Sequence, residues 1–497
     1  MFASNPPLWN NLFFRDASTE PRVRDDAQSV SPIPWIDPAL AFMALAAAEN
    51  PLPGVVFLDS AGAVRDISRW ALLAADPFEI IEAGIPETKG GEISREAGRG
   101  DPFGALAGAL TRFSAPPGPI PYARGGMIGY LGYGLRHFTE RLPRHHPEPM
   151  EPALWFGLYD TLLVFDRLRR SAWLVSTGLP EASARAAGRR RRERARAFTS
   201  RLATTGAYSE DAPPAPLESG TAFPEGFSPT MDAGDFGEAV EQARTLISAG
   251  DIYQVNLSYA VEAPAALPAH LLYQRLRRIS PAPFGAYLDP GAFQVLSNSP
   301  ERFLLLDEGR VETRPIKGTR PRHRDGVEDA RLAAELLSSV KDRAEHLMIV
   351  DLERNDLGKI ATAGSVRVER LGGLESYASV HHLVSVVSAS PRERIGPVGI
   401  LRACFPGGSI TGAPKIRAME VIESLENGPR GIYTGAIGGI DFSGRMDFSV
   451  AIRTGIVRDG RVRFHVGGGI VADSKPEEEY RETLTKAEAF ARLLASA

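Results

Sequence analysis

The clearest hydrophobic pattern along the chain is a helical stripe in DFGEAVEQARTLISAG, residues 235–250. Apolar residues recur there every three or four positions, which predicts an amphipathic helix that ends at Gly250. The next segment, DIYQVNLSYAV, alternates instead, and its apolar residues from Val255 to Val261 share one face. This pattern predicts a β-strand directly after the helix.

Two later segments have the pattern of β-hairpins. RFLLLDEGRVETRPI is predicted to turn at 307–309, and MDFSVAIRTGIVRDGRVRFHVGGGIV at Asp459-Gly460. Helical patterns cover about 329–350, 414–426 and 476–495. Because the strands come in hairpins and do not alternate strictly with helices, the chain is predicted to be α+β with large antiparallel sheets.

The segment 204–232 lacks hydrophobic periodicity and is rich in Pro, Gly, Ser and Ala, which is typical of a linker. It divides the chain into an N-terminal lobe, 1–203, and a C-terminal domain, 233–497. The N-terminal lobe combines short strands with glycine-rich turns and contains no recognisable catalytic constellation. The C-terminal domain is therefore the expected catalytic part.

Composition narrows the class of protein. The 497 residues include 57 Lys and Arg and 61 Asp and Glu, so the net charge is −4, which does not favour a nucleic-acid binder. An arginine-rich run at 185–202 is interpreted as a solvated surface helix. No apolar run is long enough to cross a bilayer, and the N-terminus does not look like a secretion signal. With a single cysteine, Cys404, the expected compartment is the cytoplasm.

Two pairs of carboxylates are spaced to lie on one face of a helix. Asp342 and Glu345 are three residues apart, as are Glu479 and Glu482. Solvated helix charge is the alternative interpretation of either pair alone. If the two helices meet, they form an oxygen-lined site that suits Mg²⁺ better than Zn²⁺.

Several groups are suited to bind an anionic substrate. GGSITGAPK, residues 407–415, is a Gly/Ser/Thr loop at a predicted helix start, where free backbone amides bind carboxylates. Gly467, Gly468 and Gly469 allow close backbone approach to a ligand, although an ordinary turn would explain them too. Arg453, on a predicted strand, can clamp a carboxylate, and Tyr433 can donate a hydrogen bond.

The candidate nucleophile is Lys317 in RPIKGTRPR, residues 314–322. A lysine amine is protonated at neutral pH unless nearby positive charge disfavours the ammonium form, and three arginines and a divalent ion would do so. Glu301, in NSPERFL, lies across the predicted hairpin and is the candidate general acid. A solvated basic loop is the alternative interpretation.

Together these segments resemble the chorismate-utilising enzymes. The matching motifs, in the family's order, are GDIYQVNLS, SPERF, RPIKGTRPR, KDRAEHLMIVDLERNDL, HHLVS, FPGGSITGAPK, GIYTGAIGG, AIRT, GGGIV and EEEYRETLTKAEAF. The resemblance implies an anthranilate-synthase-like fold of two lobes, with large, roughly orthogonal antiparallel β-sheets surrounded by helices. Lys317, where anthranilate synthases usually carry alanine, and Asn256 point to the branch that forms 4-amino-4-deoxychorismate for folate synthesis.

The resemblance also implies roles for individual residues. Mg²⁺ would be held by Glu345 and Glu482, with Asp342 and Glu479 supporting it through water. Lys317 would attack C2 of the chorismate ring while Glu301 protonates the departing C4 hydroxyl, and ammonia would then displace the lysine. The implied substrate-binding residues are Gly318, Thr319, His382, Thr411, Gly412, Tyr433, Arg453, Gly467, Gly468, Gly469 and Lys486.

Ammonia must come from another protein if this resemblance holds. A glutaminase needs a cysteine on a glycine-flanked turn, and Cys404 in LRACFPGG lacks that pattern. The expected partner is a glutamine amidotransferase, with no nucleic acid and no membrane involved. Relatives hold tryptophan in an N-terminal pocket, and Ser60 in FLDS occupies the matching motif.

Three alternatives remain open on the sequence. An enzyme that forms isochorismate or salicylate would also place a lysine near position 317 but would use it to activate water. An anthranilate synthase component would use the same carboxylates but would yield anthranilate. A non-catalytic subunit that senses an amino acid would explain the Ser60 motif but not the paired carboxylates.

Overall fold

The computed structural model describes most of the chain. The described residues are 29–47, 51–62, 66–84, 88–89, 92–93, 100–147, 149–203, 222–377 and 380–495. Of the predicted linker, 204–221 lies outside them.

The described residues form two large sheets and one small hairpin. The strands are β1 Val30–Ile33, β2 Val56–Asp59, β3 Trp70–Ala74, β4 Glu79–Ala83, β5 Thr88–Lys89, β6 Glu92–Ile93, β7 Gly126–Leu131, β8 Leu154–Tyr159, β9 Thr161–Asp166, β10 Ser171–Ser176, β11 Ser228–Pro229, β12 Gln254–Pro264, β13 Phe284–Leu288, β14 Gln294–Ser299, β15 Arg302–Asp307, β16 Arg310–Arg314, β17 Ile316–Pro321, β18 Arg367–Ser376, β19 Val380–Ala389, β20 Gly412–Ala413, β21 Ala436–Asp441, β22 Met446–Val450, β23 Thr454–Arg458 and β24 Arg461–Ile470.

Helices cover the sheets. They are α1 Pro38–Ala46, α2 Pro102–Phe113, α3 Ala184–Leu202, α4 Ala233–Ser248, α5 Ala269–Ile279, α6 Gly326–Ser338, α7 Val340–Gly358, α8 Pro397–Cys404, α9 Lys415–Leu425 and α10 Pro476–Ala495.

Every strand pairing in the two sheets is antiparallel, so the predicted α+β class with large antiparallel sheets is confirmed. The first sheet runs β1-β10-β9-β3-β2-β13-β14-β23-β24-β12-β11, with β20 paired to β12. The second sheet runs β17-β19-β16-β15-β22-β21-β7-β8-β4, with β18 paired to β19. Both predicted hairpins form, with Asp307 opposite Arg310 and Arg458 opposite Arg461.

Strands from both sides of 204–232 contribute to both sheets. In the first sheet β2 pairs with β13, and in the second β7 pairs with β21. The division at 204–232 stays a prediction about the sequence, since the sheets themselves cross it. One hydrophobic core joins both sheets, with Phe57 and Phe165 from the N-terminal side and Phe448 and Phe464 from the C-terminal side.

The helix predicted at about 329–350 is in fact two helices, α6 and α7. Ser339 separates them with ψ of 112°, outside the helical range. Its side chain accepts a hydrogen bond from the backbone N–H of Asp342, which makes Ser339 the N-cap of α7. The hydrophobic period alone does not reveal the break between the two helices. The local signal for it is Ser339, because serine favours the N-cap position of a helix.

The arginine-rich run forms α3. Arg190 and Arg194 reach the buried Asp160, at 3.0 and 3.4 Å. These arginines therefore fix the helix to the first sheet, which agrees with a structural role for the run. No helix in the described part of the chain is long and apolar enough to cross a membrane.

Two glycines with positive φ provide a test of how tightly the loop before α9 is packed. Gly412 has φ of +144°, and a Cβ placed on it would lie 2.2 Å from the carbonyl oxygen of Gln254. Gly250 has φ of +81° with open space around it. We expect Gly250→Ala to cost about 1 kcal/mol, from backbone strain alone. Gly412→Ala should cost at least about 3 kcal/mol, because steric overlap adds to the strain.

The measurement is the free energy of unfolding from denaturant titration of each variant. Equal losses for the two substitutions would contradict the close approach of Gly412 to β12.

Candidate active site

Lys317 lies in β17, directly before a register shift in the pairing with β19. Gly318 has φ of +80°, a conformation that glycine adopts readily. The lysine side chain is only 19% exposed, and its Nζ lies 3.4 Å from Oε2 of Glu345 on α7. The amine therefore points into the protein beside a predicted metal ligand, which contradicts the alternative of a solvated basic loop.

The arginines around Lys317 do not act as expected. Each makes an ion pair with at least one carboxylate, so the expected crowding of uncompensated positive charge around the amine is wrong. The pairs are Arg314–Glu375 at 2.7 Å, Arg320–Asp342 at 3.1 Å and Arg322–Asp329 at 2.9 Å. The sequence places these arginines close to Lys317 along the chain, but their carboxylates lie on other elements, from seven to 61 residues away in the sequence.

Glu301 is buried between β14 and β15. The Ser409 side chain and the backbone N–H of Ile316 hydrogen-bond to its carboxylate. Burial nevertheless dominates and raises the pKa of Glu301 to about 7, with Lys317 acting in the opposite direction. A carboxyl group with this pKa retains a proton near neutral pH, as a general acid must.

A second buried carboxylate, Glu353, lies next to Glu301 and was not predicted from the sequence. Its Oε1 accepts a hydrogen bond of 3.0 Å from the backbone N–H of Gly408, and its Oε2 one of 3.4 Å from the hydroxyl of Thr313. Burial, with a contribution from Asp356, raises the pKa of Glu353 to about 7. The negative charge of Glu353 also raises the pKa of Glu301.

Glu482, the second predicted metal ligand, lies on α10. Its Oε1 is 2.7 Å from Nζ of Lys486, which also donates to the carbonyl of Gly467 at 2.8 Å. The positive charge of Lys486, with a smaller contribution from Lys317, lowers the pKa of Glu482. Lys317 is thus within electrostatic reach of both Glu345 and Glu482.

This pair of carboxylates fits a hard cation. Magnesium takes one or two protein carboxylates and leaves positions for water and an anionic substrate. Among the residues that the structure describes, no three His, Cys, Asp or Glu side chains are grouped as a metal site. A cation held by these two glutamates would therefore need water or substrate to complete its coordination.

The carboxylates predicted to support the metal have partners in the protein. Asp342 pairs with Arg320 and lies beside Gly318. Glu479 is buried, accepts a hydrogen bond of 2.6 Å from the hydroxyl of Ser474, and has a pKa raised by burial. Their support of a metal stays a prediction.

Gly467, Gly468 and Gly469 are not a turn but the end of strand β24. They pair with Ser258, Leu257 and Asn256 of β12. A Cβ on Gly468 would lie 3.3 Å from Oε2 of Glu479. The strand therefore brings bare backbone close to the predicted metal ligands.

Arg453 does not lie on a strand as predicted. It lies between β22 and β23, where the chain passes from the second sheet to the first, and it has φ of +50°. Its carbonyl accepts a hydrogen bond of 3.0 Å from the backbone N–H of Asn298, and its charge lowers the pKa of His382. The structure gives its guanidinium no ion pair among the described residues, so it is available to an anionic ligand.

Tyr433 faces the same region. Its ring stacks on His465, with centroids 5.0 Å apart, and its hydroxyl hydrogen-bonds to the side chain of Asn256. Burial raises the pKa of Tyr433, so the hydroxyl keeps its proton.

Of the other predicted residues, Thr319 and His382 pair across β17 and β19, with 2.8 Å between Oγ1 and Nδ1. Burial lowers the pKa of His382 to about 4, and its Nε2 has no partner in the described protein. Thr411 donates its hydroxyl to the carbonyl of Gly407 at 3.0 Å, so the side chain has an internal role. The substrate-binding roles of these residues stay predictions.

Three amide side chains complete the site: Gln254, Asn256 and Asn298. Gln254 and Asn298 are buried, and neither end of either carboxamide has a hydrogen-bond partner among the described residues. Gln254 and Asn256 belong to the motif GDIYQVNLS, but uncharged amides carry no signal of catalysis in a single sequence. Asn256 was noted only through the family resemblance, and Gln254 and Asn298 are identified by their unpaired burial.

Ser60 and Cys404 have structural partners. The hydroxyl of Ser60 donates to the carbonyl of Trp70 at 3.0 Å, and binding of tryptophan there stays a prediction. Cys404 is buried in α8, its thiol lies 3.7 Å from the carbonyl of Asp356, and burial raises its pKa. Such a thiol is unsuited to be a nucleophile.

The class of protein follows from a comparison with known families. Residues 55–492 match the family described as chorismate binding enzyme, and this chain belongs to that family. The resemblance inferred from the motifs is thereby confirmed.

Within the family, the chain is similar both to aminodeoxychorismate synthases and to anthranilate synthases. The chain is 43% identical over 393 residues to aminodeoxychorismate synthase of Streptomyces griseus, covering 79% of this chain and 53% of that longer protein. It is 38% identical to aminodeoxychorismate synthase component 1 of Salmonella typhimurium, covering 88% of this chain and 92% of that one. It is 42% identical to anthranilate synthase component 1 of Streptomyces coelicolor, with coverages of 79% and 77%.

A solved structure shares the fold. Anthranilate synthase component I of Streptococcus pneumoniae superposes with a TM-score of 0.73 at 31% identity, covering 92% of this chain and 97% of that one. This likeness confirms the predicted anthranilate-synthase-like fold class.

The pKa of Glu301 predicts how the rate depends on pH. If Glu301 must be protonated to act, kcat/KM for chorismate should be constant below about pH 7 and fall as pH rises through that value. Glu301→Gln should lower the rate on the order of 10²- to 10⁴-fold. Glu353→Gln removes a negative charge that raises the pKa of Glu301, so the fall should begin at a lower pH.

A buried glutamate elsewhere provides the control. Glu423 pairs with Arg136 and is not among the groups named as shifting the pKa of Glu301, so Glu423→Gln should leave the pH of the fall unchanged. An unaltered profile for Glu353→Gln would contradict the coupling of the two carboxylates.

Proposed function

We propose that this chain converts chorismate and ammonia to 4-amino-4-deoxychorismate, as the chorismate-binding component of an aminodeoxychorismate synthase. The observation that supports this most is the position of Lys317, an inward-facing amine beside Glu345 and within reach of the charge on Glu301. The similarity to proteins of that name over most of the chain agrees with it.

The reaction begins with Lys317 as the neutral amine. Its nitrogen attacks C2 of the ring, both ring double bonds shift by one position towards C4, and the C4–oxygen bond breaks. Glu301 gives its proton to the departing hydroxyl, which leaves as water. The carboxyl group is then a carboxylate, and the ring is bound to the lysine.

In the second step ammonia adds at C4. Both double bonds shift back, the bond between C2 and Nζ breaks, and its electron pair returns to the lysine. The new ammonium group at C4 gives a proton to the Glu301 carboxylate, which restores the acid. The enolpyruvyl group stays on the ring throughout.

Positively charged and hydrogen-bonding groups hold the substrate. Arg453 and Tyr433, with the backbone around Gly468, bind the carboxylate of the enolpyruvyl group. Glu345 and Glu482 would hold Mg²⁺, which when bound supplies positive charge for the ring carboxylate.

Ammonia in this proposal comes from a glutamine amidotransferase partner in the cytoplasm. The buried thiol of Cys404 supports the need for a partner, since it cannot act as a glutaminase nucleophile. Anthranilate synthesis is the second candidate, favoured by the 42% identity to a protein of that name.

Product analysis with Lys317→Ala tests the covalent step. Wild-type chain with chorismate, Mg²⁺ and ammonium salts should give a product that retains enolpyruvate, and without ammonia it should form a lysine adduct with the mass of chorismate less water. Lys317→Ala should form no adduct and should lose at least about 10²-fold in rate. The exposed Lys475, paired with Glu478, provides the control Lys475→Ala.

Fluorescent anthranilate as the product would establish the second candidate instead. Undiminished turnover by Lys317→Ala would rule out the lysine as nucleophile.

Magnesium binding has a test that does not depend on turnover. Glu345→Gln should weaken Mg²⁺ binding, measured by calorimetry, by more than the about 10- to 100-fold typical of residues that only support a ligand. Glu478→Gln, at an exposed position of α10, should bind as wild type does. Equal affinity in all three proteins would place the metal elsewhere.

A further inference from the structure

The short loop before β20 contacts both buried carboxylates of the site. Its residues Gly408–Ile410 form a single 3₁₀ turn. The backbone N–H of Gly408 donates to Oε1 of Glu353 at 3.0 Å, and the backbone of Ser409 hydrogen-bonds to the same carboxylate. The side chain of Ser409 hydrogen-bonds instead to Glu301. One residue therefore joins the two carboxylates, with its backbone on Glu353 and its hydroxyl on Glu301.

The same two carboxylates also reach the segment that leads to Lys317. The hydroxyl of Thr313 donates to Oε2 of Glu353 at 3.4 Å, and the backbone N–H of Ile316 hydrogen-bonds to Glu301. Ile316 directly precedes Lys317 in β17. The pair of carboxylates therefore connects the loop to the strand of the proposed nucleophile.

Close packing holds this loop in place. A Cβ on Gly408 would lie 2.7 Å from the side chain of Leu352 and 3.0 Å from Oε1 of Glu353, so the loop lies directly on α7. Within the loop, the hydroxyl of Thr411 donates to the carbonyl of Gly408 at 3.2 Å. The position of Ser409 is therefore set by the protein before any substrate binds, as a preorganised hydrogen-bond donor requires.

The charge on Glu301 is opposed by some of its neighbours and favoured by others. Burial and the negative charge of Glu353 on α7 disfavour the carboxylate form. Lys317 on β17 and the hydrogen bonds from Ile316 and Ser409 favour it. Hydrogen bonds to an ionised acceptor are roughly twice as strong as those between neutral groups. The hydrogen bond from Ser409 therefore strengthens as the proton leaves, and an interaction that strengthens on the way to the transition state accelerates the reaction.

We propose that Ser409 is a positioning residue for the general acid, whose hydroxyl stabilises the carboxylate of Glu301 as its proton passes to the C4 oxygen of the ring. This inference rests on the proposed function. The O–H bond of Glu301 breaks, a new O–H bond forms on the departing C4 hydroxyl, and water leaves. Ser409 keeps its own proton throughout. Glu353 acts through Ser409 by holding the backbone of the loop.

The pH dependence distinguishes Ser409 from Glu353. The hydrogen bond from Ser409 lowers the pKa of Glu301, whereas the negative charge of Glu353 raises it. Loss of the serine hydroxyl therefore raises this pKa, so that Glu301 becomes a weaker acid but keeps its proton to higher pH. The fall in rate should then begin at a higher pH, opposite to the change expected for Glu353→Gln. General damage to the site would not move the two variants in opposite directions.

The first test is the pH profile of kcat/KM for chorismate in Ser409→Ala. On the acidic side of the fall, the rate should be about tenfold lower than in the wild type, and the fall should move upward by about one pH unit, the effect of one hydrogen bond to a charged group. The adduct on Lys317 should form more slowly when ammonia is withheld, because its formation uses the acid. Ser409→Thr, which keeps the hydroxyl, should restore both the rate and the pH of the fall.

A second measurement needs no turnover. The carbonyl stretch of protonated Glu301 is identified by infrared difference spectroscopy between the wild type and Glu301→Gln. Its titration midpoint, near pH 7 in the wild type, should be higher in Ser409→Ala. An unmoved midpoint would overturn the role of Ser409. Failure of the proposed function has a different signature, since the wild type would then form no 4-amino-4-deoxychorismate from chorismate and ammonia.

Ser388 provides the matched control. It is a buried serine of β19 whose hydroxyl donates to Oε1 of Glu369 at 2.6 Å. Ser388→Ala should change neither the rate nor the pH of the fall. Should Ser409→Ala fail to fold, as judged by its thermal transition, Ser409→Cys replaces the hydroxyl with a weak donor, and the same upward movement is expected. A lower rate with the fall at its original pH, or at a lower one, would contradict the proposal, because the hydroxyl would then act only on the structure of the loop.

Discussion

The site depends on one constraint: β24 carries no side chain from Gly467 to Gly469 while it lies against β12. The hydrogen-bonded pairing fixes the two backbones at the spacing of neighbouring strands, so only the side chains are free to vary. Any Cβ at 469 would occupy the space that borders Lys317 and Gln254. Because these three glycines have no side chains, groups from β17, β12, α7 and α10 can approach one another beside β24. Each of those elements belongs to a different segment of the chain.

Much of the fold could be predicted from local pattern. The helix after 232, the strand after Gly250 and both hairpin turns are encoded by residues within a few positions of one another. The motifs also indicated Lys317, Glu301 and the carboxylates of α7 and α10. The helix, strand and turns depend on local sequence, and the site residues lie in motifs that occur in the same order in the family.

What the sequence could not predict depends on contacts between distant segments. The arginines around Lys317 find carboxylates in other elements, and Arg453 adopts a left-handed conformation where the chain passes from one sheet to the other. In the sequence Glu353 cannot be told apart from other charged helix residues. Only its burial, together with its effect on Glu301, marks it as part of the site. Gln254 carries no charge at all, and only the lack of a partner in a packed interior reveals it.

Burial is the main reason why the general acid Glu301 keeps its proton, and the distribution of charge along α7 adds to it. Glu345, Glu353 and Asp356 follow one another at helical spacing along the same side of α7. Glu345 has Lys317 as its cation, and Asp356 pairs with Lys415 at the opposite end. Glu353, between them, has backbone and hydroxyl donors but, within the described parts of the chain, no cation in hydrogen-bond contact. A second uncompensated carboxylate at Glu301 would double the buried negative charge in that place, and taking up a proton is the way two such groups avoid it. The row of carboxylates on α7 thus has cations from β17 and α9 at its two ends, and the negative charge left between them adds to the burial that keeps a proton on Glu301.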